Sequence, residues 1–202
     1  MDATVLSLQD GTKAYLQLVL DNFSRRIIAY QVEPSPSALH SEQLLHSAIA
    51  SIADTVPDNI FLIVEGGSEN NNRIVEAFLT TTPIKKLIAR VDVSFSNSMI
   101  EAVNKIVKYD YLFRSQLSCR DHLGDEVRKA IDDYNDRPHY AIKGLTPNQA
   151  YSGMSFDEKA YRRRLAIARA ERLQVNRLSC NPCRPLDLDL EDKEEEGEEE
   201  RE

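Results

Sequence analysis

Polar and apolar positions alternate with a period close to two through much of the first 33 residues, the spacing of half-buried strands. Segments 4–8, 14–21 and 26–33 read as three consecutive strands. Gln9-Asp10-Gly11 supplies the Asp-Gly signal for a tight hairpin between the first two, and Asp21-Asn22-Phe23-Ser24 turns the chain into the third. Pro34 and Pro36 stop the third strand. Ser37 then caps a predicted helix to about residue 54, whose Leu39, Leu44, Leu45, Ala48, Ile49 and Ile52 recur at helical spacing. Pro57-Asp58-Asn59 breaks it. The wholly apolar run Ile60-Phe61-Leu62-Ile63-Val64 suits a central strand covered on both faces.

A short helix over 73–79, a strand over 84–89 and helices over about 98–113 and 120–134 follow, then a helix-composed stretch at 155–178 with a weak apolar face. The order β-β-β-α-β-α-β-α-α predicts an α/β fold, an antiparallel meander joined to crossover strands with helices on both faces.

Composition adds a core and two unusual ends. Of the 202 residues 42% are hydrophobic, which supports one domain of ordinary size plus a tail. No apolar stretch approaches the ~20 residues that cross a bilayer, and no signal peptide is visible, so no membrane partner and a cytoplasmic location are expected. Three cysteines make no disulfide framework. Cys180-Asn-Pro-Cys183 has half the spacing of a zinc site with no second pair nearby, and reads as two free thiols.

The net charge of −8 divides unevenly: residues 186–202 carry −9, leaving 1–185 at +1. The acidic block is too like-charged to pack and is expected to be disordered. Before it, residues 157–184 hold eight bases against three acids, a basic arm that fits a polyanion partner.

The chemistry-bearing positions are acidic. Glu65 ends the fourth predicted strand before Gly66-Gly67-Ser68; Glu101, with 35 residues between them, opens a helix; Asp2 precedes the first strand. Three carboxylates with no Cys or His among them suit a hard cation, Mg²⁺ or Mn²⁺. Each has a plainer reading: Ser98-Met-Ile-Glu101 is a formal capping box, Asp2 a terminal residue, Glu65 a turn residue. Glu69, four residues after Glu65, is expected to be a spare carboxylate that lies behind the ligands or in solvent, and Asp21 to stabilise its turn. On the Glu101 helix, Lys105 and Lys108 follow at i+4 and i+7 with Asn104 beside them, a stripe suited to phosphates. Lys85, Lys86, Arg90, Arg162, Arg163 and Arg164 add candidate DNA contacts of a sequence-independent, salt-sensitive kind.

Four blocks, DATVLSLQDGTKAYLQLVLDNFSRRIIAY, LIVEGGSENNN, SFSNSMIEAVNKIVKYDYL and YNDRPHYAIKGLTPNQAY, stand in the order of a known family. Together they resemble the catalytic core of a retroviral-type integrase or bacterial insertion-sequence transposase, from about Asp2 to Met154. The resemblance implies a ribonuclease H-like fold with a five-stranded mixed sheet. It implies DNA cleavage and joining by an acidic triad, Asp2, Glu65 and Glu101, holding two Mg²⁺ (or Mn²⁺) ions, with Asp2 bridging both. DNA is the implied partner, and a homodimer or higher oligomer the implied assembly.

The resulting division is a catalytic core at 1–154, truncated at its N-terminus by comparison with the family, a basic arm at 155–185 and the acidic tail at 186–202. At one triad position the pattern has Asp where this chain has Glu65, a side chain roughly 1.5 Å longer in a kind of site positioned to about 0.5 Å. Two functions therefore stand side by side: an active polynucleotidyl transferase, and an inactive remnant acting in DNA binding or dimerisation. A ribonuclease H-like nuclease of another kind is disfavoured by the block at 134–151.

Overall fold

Side-chain alternation on the meander decides the layering. The computed structural model describes residues 1–52, 59–89 and 97–179. Strands β1 (Asp2–Ser7), β2 (Lys13–Leu20) and β3 (Ile27–Glu33) form an antiparallel sheet in the order β1-β2-β3. Along β2, Leu16 and Leu18 point to one face and Gln17 and Val19 to the other; all four are buried, as a central strand requires. The Leu16 face packs against α3 (Ser98–Ile106) and α4 (Arg120–Asp136) through Ile100, Val103, Leu123, Val127 and Ile131. The Val19 face packs against α1 (Ala38–Ser51), α2 (Arg73–Thr80) and β4 (Ile60–Val64) through Leu44, Leu45, Leu62, Val64 and Phe78. Helices thus cover both faces.

Local sequence accounts for the joints. Gly11 takes φ +82° in the β1–β2 turn, where the Asp10 carboxylate accepts from both the N–H and the hydroxyl of Thr12. Asp21 accepts from the N–H and hydroxyl of Ser24, so its role is in the turn. Ser37 caps α1. Thr146 and Gln149 form a capping box with Pro147 at the first position of α5 (Pro147–Tyr151).

The expected five-stranded sheet is not continuous. Strand β4 pairs in parallel with β5 (Ile84–Ile88) as a separate two-stranded ladder. Among the described residues the hydrogen bond that links the two ladders runs from the Met1 nitrogen to the Ile63 carbonyl at 2.8 Å. A parallel ladder needs repeated, evenly spaced bonds, and one bond does not make one.

Two further expectations change. The helix predicted over 98–113 is α-helical only to Ile106; a π turn (Val107–Tyr111) and a 3₁₀ turn (Leu112–Arg114) continue it. Val103 and Val107 are four apart and Val107 and Leu112 five apart, yet all three are buried, so the wider turn keeps the apolar row facing β2. Asn97 occupies the cap position of α3 and Ser98 the first helical position, with no side-chain cap bond from Asn97.

The chain divides into two units, residues 1–156 and 157–202. In the second, α6 (Glu158–Ser179) is exposed along most of its length and carries Leu165, Ile167, Leu173 and Val175 about half-exposed. Among the described residues no helix is long and apolar enough to cross a membrane. The acidic tail, Arg90 and the Cys180/Cys183 pair lie outside the described residues.

Candidate active site

Three elements carry the three acids to one end of the first unit. Asp2 is the first residue of β1, opposite Leu18; Glu65 directly follows β4; Glu101 lies in the first turn of α3. The Met1–Ile63 bond draws the start of β1 to β4 and so sets Asp2 near Glu65. Asn104, one turn after Glu101, is buried and donates its Nδ2 to Asp2 Oδ2 at 2.7 Å. Among the described residues its enclosed Oδ1 has no hydrogen-bond partner.

Electrostatics show the acids acting on one another. Burial pushes the Asp2 carboxyl above its ordinary 3.8; the Ala3 N–H, Asn104 and the α-amine oppose this, and the Glu101 charge adds to it. Burial likewise pushes Glu65 above 4.5, and the charges of Asp2, Glu101 and Glu69 add to the rise while the Asn97 side chain opposes it. Burial lowers the Met1 α-amine to about 6 against the attraction of Asp2 and Glu65. Like charges gathered in partly dry surroundings are the condition that a hard cation relieves, and all-oxygen donors are its preferred set. By chemistry the three acids therefore fit a divalent ion. Even so, among the described residues no three His, Cys, Asp or Glu side chains are gathered closely enough to enclose one.

The loop behind Glu65 is tied down by a residue the sequence did not single out. Asn70 is buried; its Nδ2 donates to the Glu65 carbonyl at 3.4 Å and to Glu69 at 3.3 Å, and its Oδ1 accepts from Ser41 on α1 at 3.2 Å. In Asn70-Asn71-Asn72 three identical letters conceal three roles, since Asn71 accepts from Lys86 and Asn72 caps α2. A Cβ at Gly67 would meet the Glu69 carboxylate as it lies, the far end of a side chain that can turn aside. At Gly66 a Cβ would make only an ordinary contact with Ile88.

The basic candidates separate by their partners. Lys105 is exposed beside the acids in a groove lined also by Asp2, Thr4, Glu101, Asn104, Lys108 and Tyr109. Lys108 donates to the Val5 carbonyl at 3.0 Å and Thr4 Oγ1 at 3.4 Å, so its ammonium fastens the helix to β1. The Lys86 side chain is only 9% exposed and is held by Glu76, Asn71 and the Asn70 carbonyl. Lys85 is exposed and donates to Asn59 at 2.6 Å. On α6, Arg162 pairs with Glu158 at 2.6 Å, while Arg163 and Arg164 are exposed.

The integrase core domain family matches residues 83–147. No curated protein matches the chain. Among solved structures, the chain is similar to a simian T-cell lymphotropic virus intasome determined with PP2A regulatory subunit B56 gamma, with a TM-score of 0.62 and 18% identity over 73% of this chain and 51% of that one. It spans about half of that relative. It is also similar to the HTLV-2 integrase catalytic core in complex with magnesium in its trimeric form (TM-score 0.57, 18% identity, 73% of this chain and 90% of that one). The BIV integrase catalytic core domain gives a TM-score of 0.55 at 18% identity, over 75% and 91% of the two chains. The chain therefore resembles integrase catalytic cores in its ribonuclease H-like α/β fold, and residues 83–147 carry the family's sequence pattern.

Proposed function

We propose that this chain is the core of a divalent-cation-dependent polynucleotidyl transferase of the transposase or integrase type, acting on DNA as a dimer or higher oligomer. The observation that carries this reading is the position of Asp2 at the start of β1, Glu65 directly after β4 and Glu101 in the first turn of α3, with Asn104 of that helix bonded to Asp2 at 2.7 Å. Mg²⁺ or Mn²⁺ is the proposed cofactor, with Asp2, Glu65 and Glu101 as its holders. When bound, such an ion would supply Lewis-acid activation of a phosphate oxygen and of the attacking water or 3′-hydroxyl. In this reading Asn104 orients Asp2, Asn70 fixes the backbone at Glu65, and exposed Lys105 steadies a phosphate of the DNA end. The similar HTLV-2 core was determined with magnesium, which supports the choice of cation.

A second reading, an inactive core that binds DNA or dimerises, is favoured by the looseness of the three-acid group and by glutamate at position 65. A branched DNA integration intermediate incubated with Mn²⁺ separates the two. Strand resolution by the chain, lost in Asp2→Asn and Glu101→Gln, supports the transferase. Resolution only after Glu65→Asp means a correctly placed but detuned triad. No product from the chain or from Glu65→Asp leaves the inactive core.

A further inference from the structure

The π turn does more than keep Val107 and Leu112 inward. It leaves Tyr109 61% and Phe113 51% exposed on the opposite side of the same helix. The two rings meet edge to face, with centroids 5.3 Å apart and planes at 86°. Phe113 is held in turn by Lys108, whose Nζ lies 5.6 Å from its centroid while bonded to β1. Tyr109 is thus a braced ring whose surface remains largely open. It also lines the groove that contains Asp2, Glu101, Asn104 and Lys105.

We propose that Tyr109, braced by Phe113, is a stacking platform for an unpaired nucleobase of the DNA end. The idea rests on the transferase or DNA-binding reading and adds a base-contacting residue to it. The surroundings select this occupant. A base needs an open aromatic face, and its attached phosphates need a nearby cation, which Lys105 supplies in the same groove. A protein partner would favour a broad apolar patch, whereas this ring pair borders carboxylates and ammonium groups. Stacking tolerates any base, so the platform would hold a frayed strand without reading its sequence.

The chain has no tryptophan, so Tyr109→Trp introduces a single indole reporter. Its fluorescence is followed while a labelled single-stranded oligodeoxynucleotide, or an abasic oligomer of equal length, is added and binding is read by anisotropy. Both oligomers should bind, and only the base-bearing one should quench the indole. Tyr109→Leu should weaken binding of the base-bearing strand by roughly 5- to 150-fold, and Tyr109→Phe should retain it. Binding of both oligomers with equal quenching, or unchanged affinity in Tyr109→Leu, overturns the platform. So does a shift from dimer to monomer in Tyr109→Leu with DNA affinity intact, which would make the ring pair a self-association surface. Flat anisotropy with both oligomers instead overturns the DNA reading on which the platform rests.

Discussion

Replacing Asn135 with leucine leaves the backbone of Ile27 without its partners on the outer edge of the meander. In the strand order β1-β2-β3, β3 is the outer strand, so residues whose N–H and C=O point away from β2 have no ladder to join. Near the C-terminal end of α4, Asn135 meets both groups: its Oδ1 accepts from the Ile27 N–H and its Nδ2 donates to the Ile27 carbonyl, each at 3.0 Å. Asn135 and Ile27 are both buried, so water does not readily replace the amide. Leucine has nearly the same size but neither donor nor acceptor. Each orphaned group costs about 1–3 kcal/mol, so the substitution should destabilise the first unit by about 2–6 kcal/mol. Against a total of about 5–15 kcal/mol for a domain, that is a large share. Urea unfolding followed by circular dichroism should show a lower midpoint at unchanged slope. A loss below about 1 kcal/mol would refute the reasoning, because the amide would then be replaceable by solvent or by a shift of α4.

Because burial and like charge raise the Asp2 and Glu65 carboxyls, the folded state holds their protons more tightly than the unfolded chain does. Their cost to stability is absent at pH values below 3.8 and 4.5 and grows as pH rises through the folded values. Asp2→Asn should therefore raise the melting temperature at pH 7 and change it little near pH 3.5. Mn²⁺ should stabilise the parent chain at pH 7 and stabilise Asp2→Asn less; an equal cation effect on both would count against the site. Asn70→Leu should loosen residues 65–71, seen as faster amide hydrogen exchange there with β2 unaffected, and unchanged exchange would contradict its anchoring role. Thr146→Ala removes the α5 cap and should cost about 1 kcal/mol in the same urea assay, with no measurable loss arguing that the box is redundant.

Much of the architecture was legible in the chain because it rests on short-range rules. Period-two alternation, Asp10-Gly11, Asp21-Asn22, Ser37 and Thr146-Pro147 each fix a backbone choice within a few residues. The resemblance in the four blocks pointed to the integrase-type core. Where the expectations changed, the deciding contact was distant in sequence. The π turn follows from Val107 and Leu112 both reaching the core beneath β2, which a helical count alone does not contain. The break between the two ladders lies between β1 and β4, where the linking bond joins residues 62 positions apart, beyond the reach of any local pattern.

The candidate site divides along the same line. By itself the sequence determined the residue types: three hard-oxygen acids, a lysine one turn after the last of them, a basic arm and an acidic tail. Their partners were decided only by the tertiary structure. Asn104 reaches Asp2 across 102 positions, Asn135 reaches Ile27 across 108, and Lys108 reaches Val5 across 103. These pairings are chosen by which polar groups packing strands away from water, because a buried group must find whatever donor or acceptor the fold sets beside it. A lysine bound for β1 and a lysine left to solvent look alike in sequence; Lys108 and Lys105 differ only once the helix has docked.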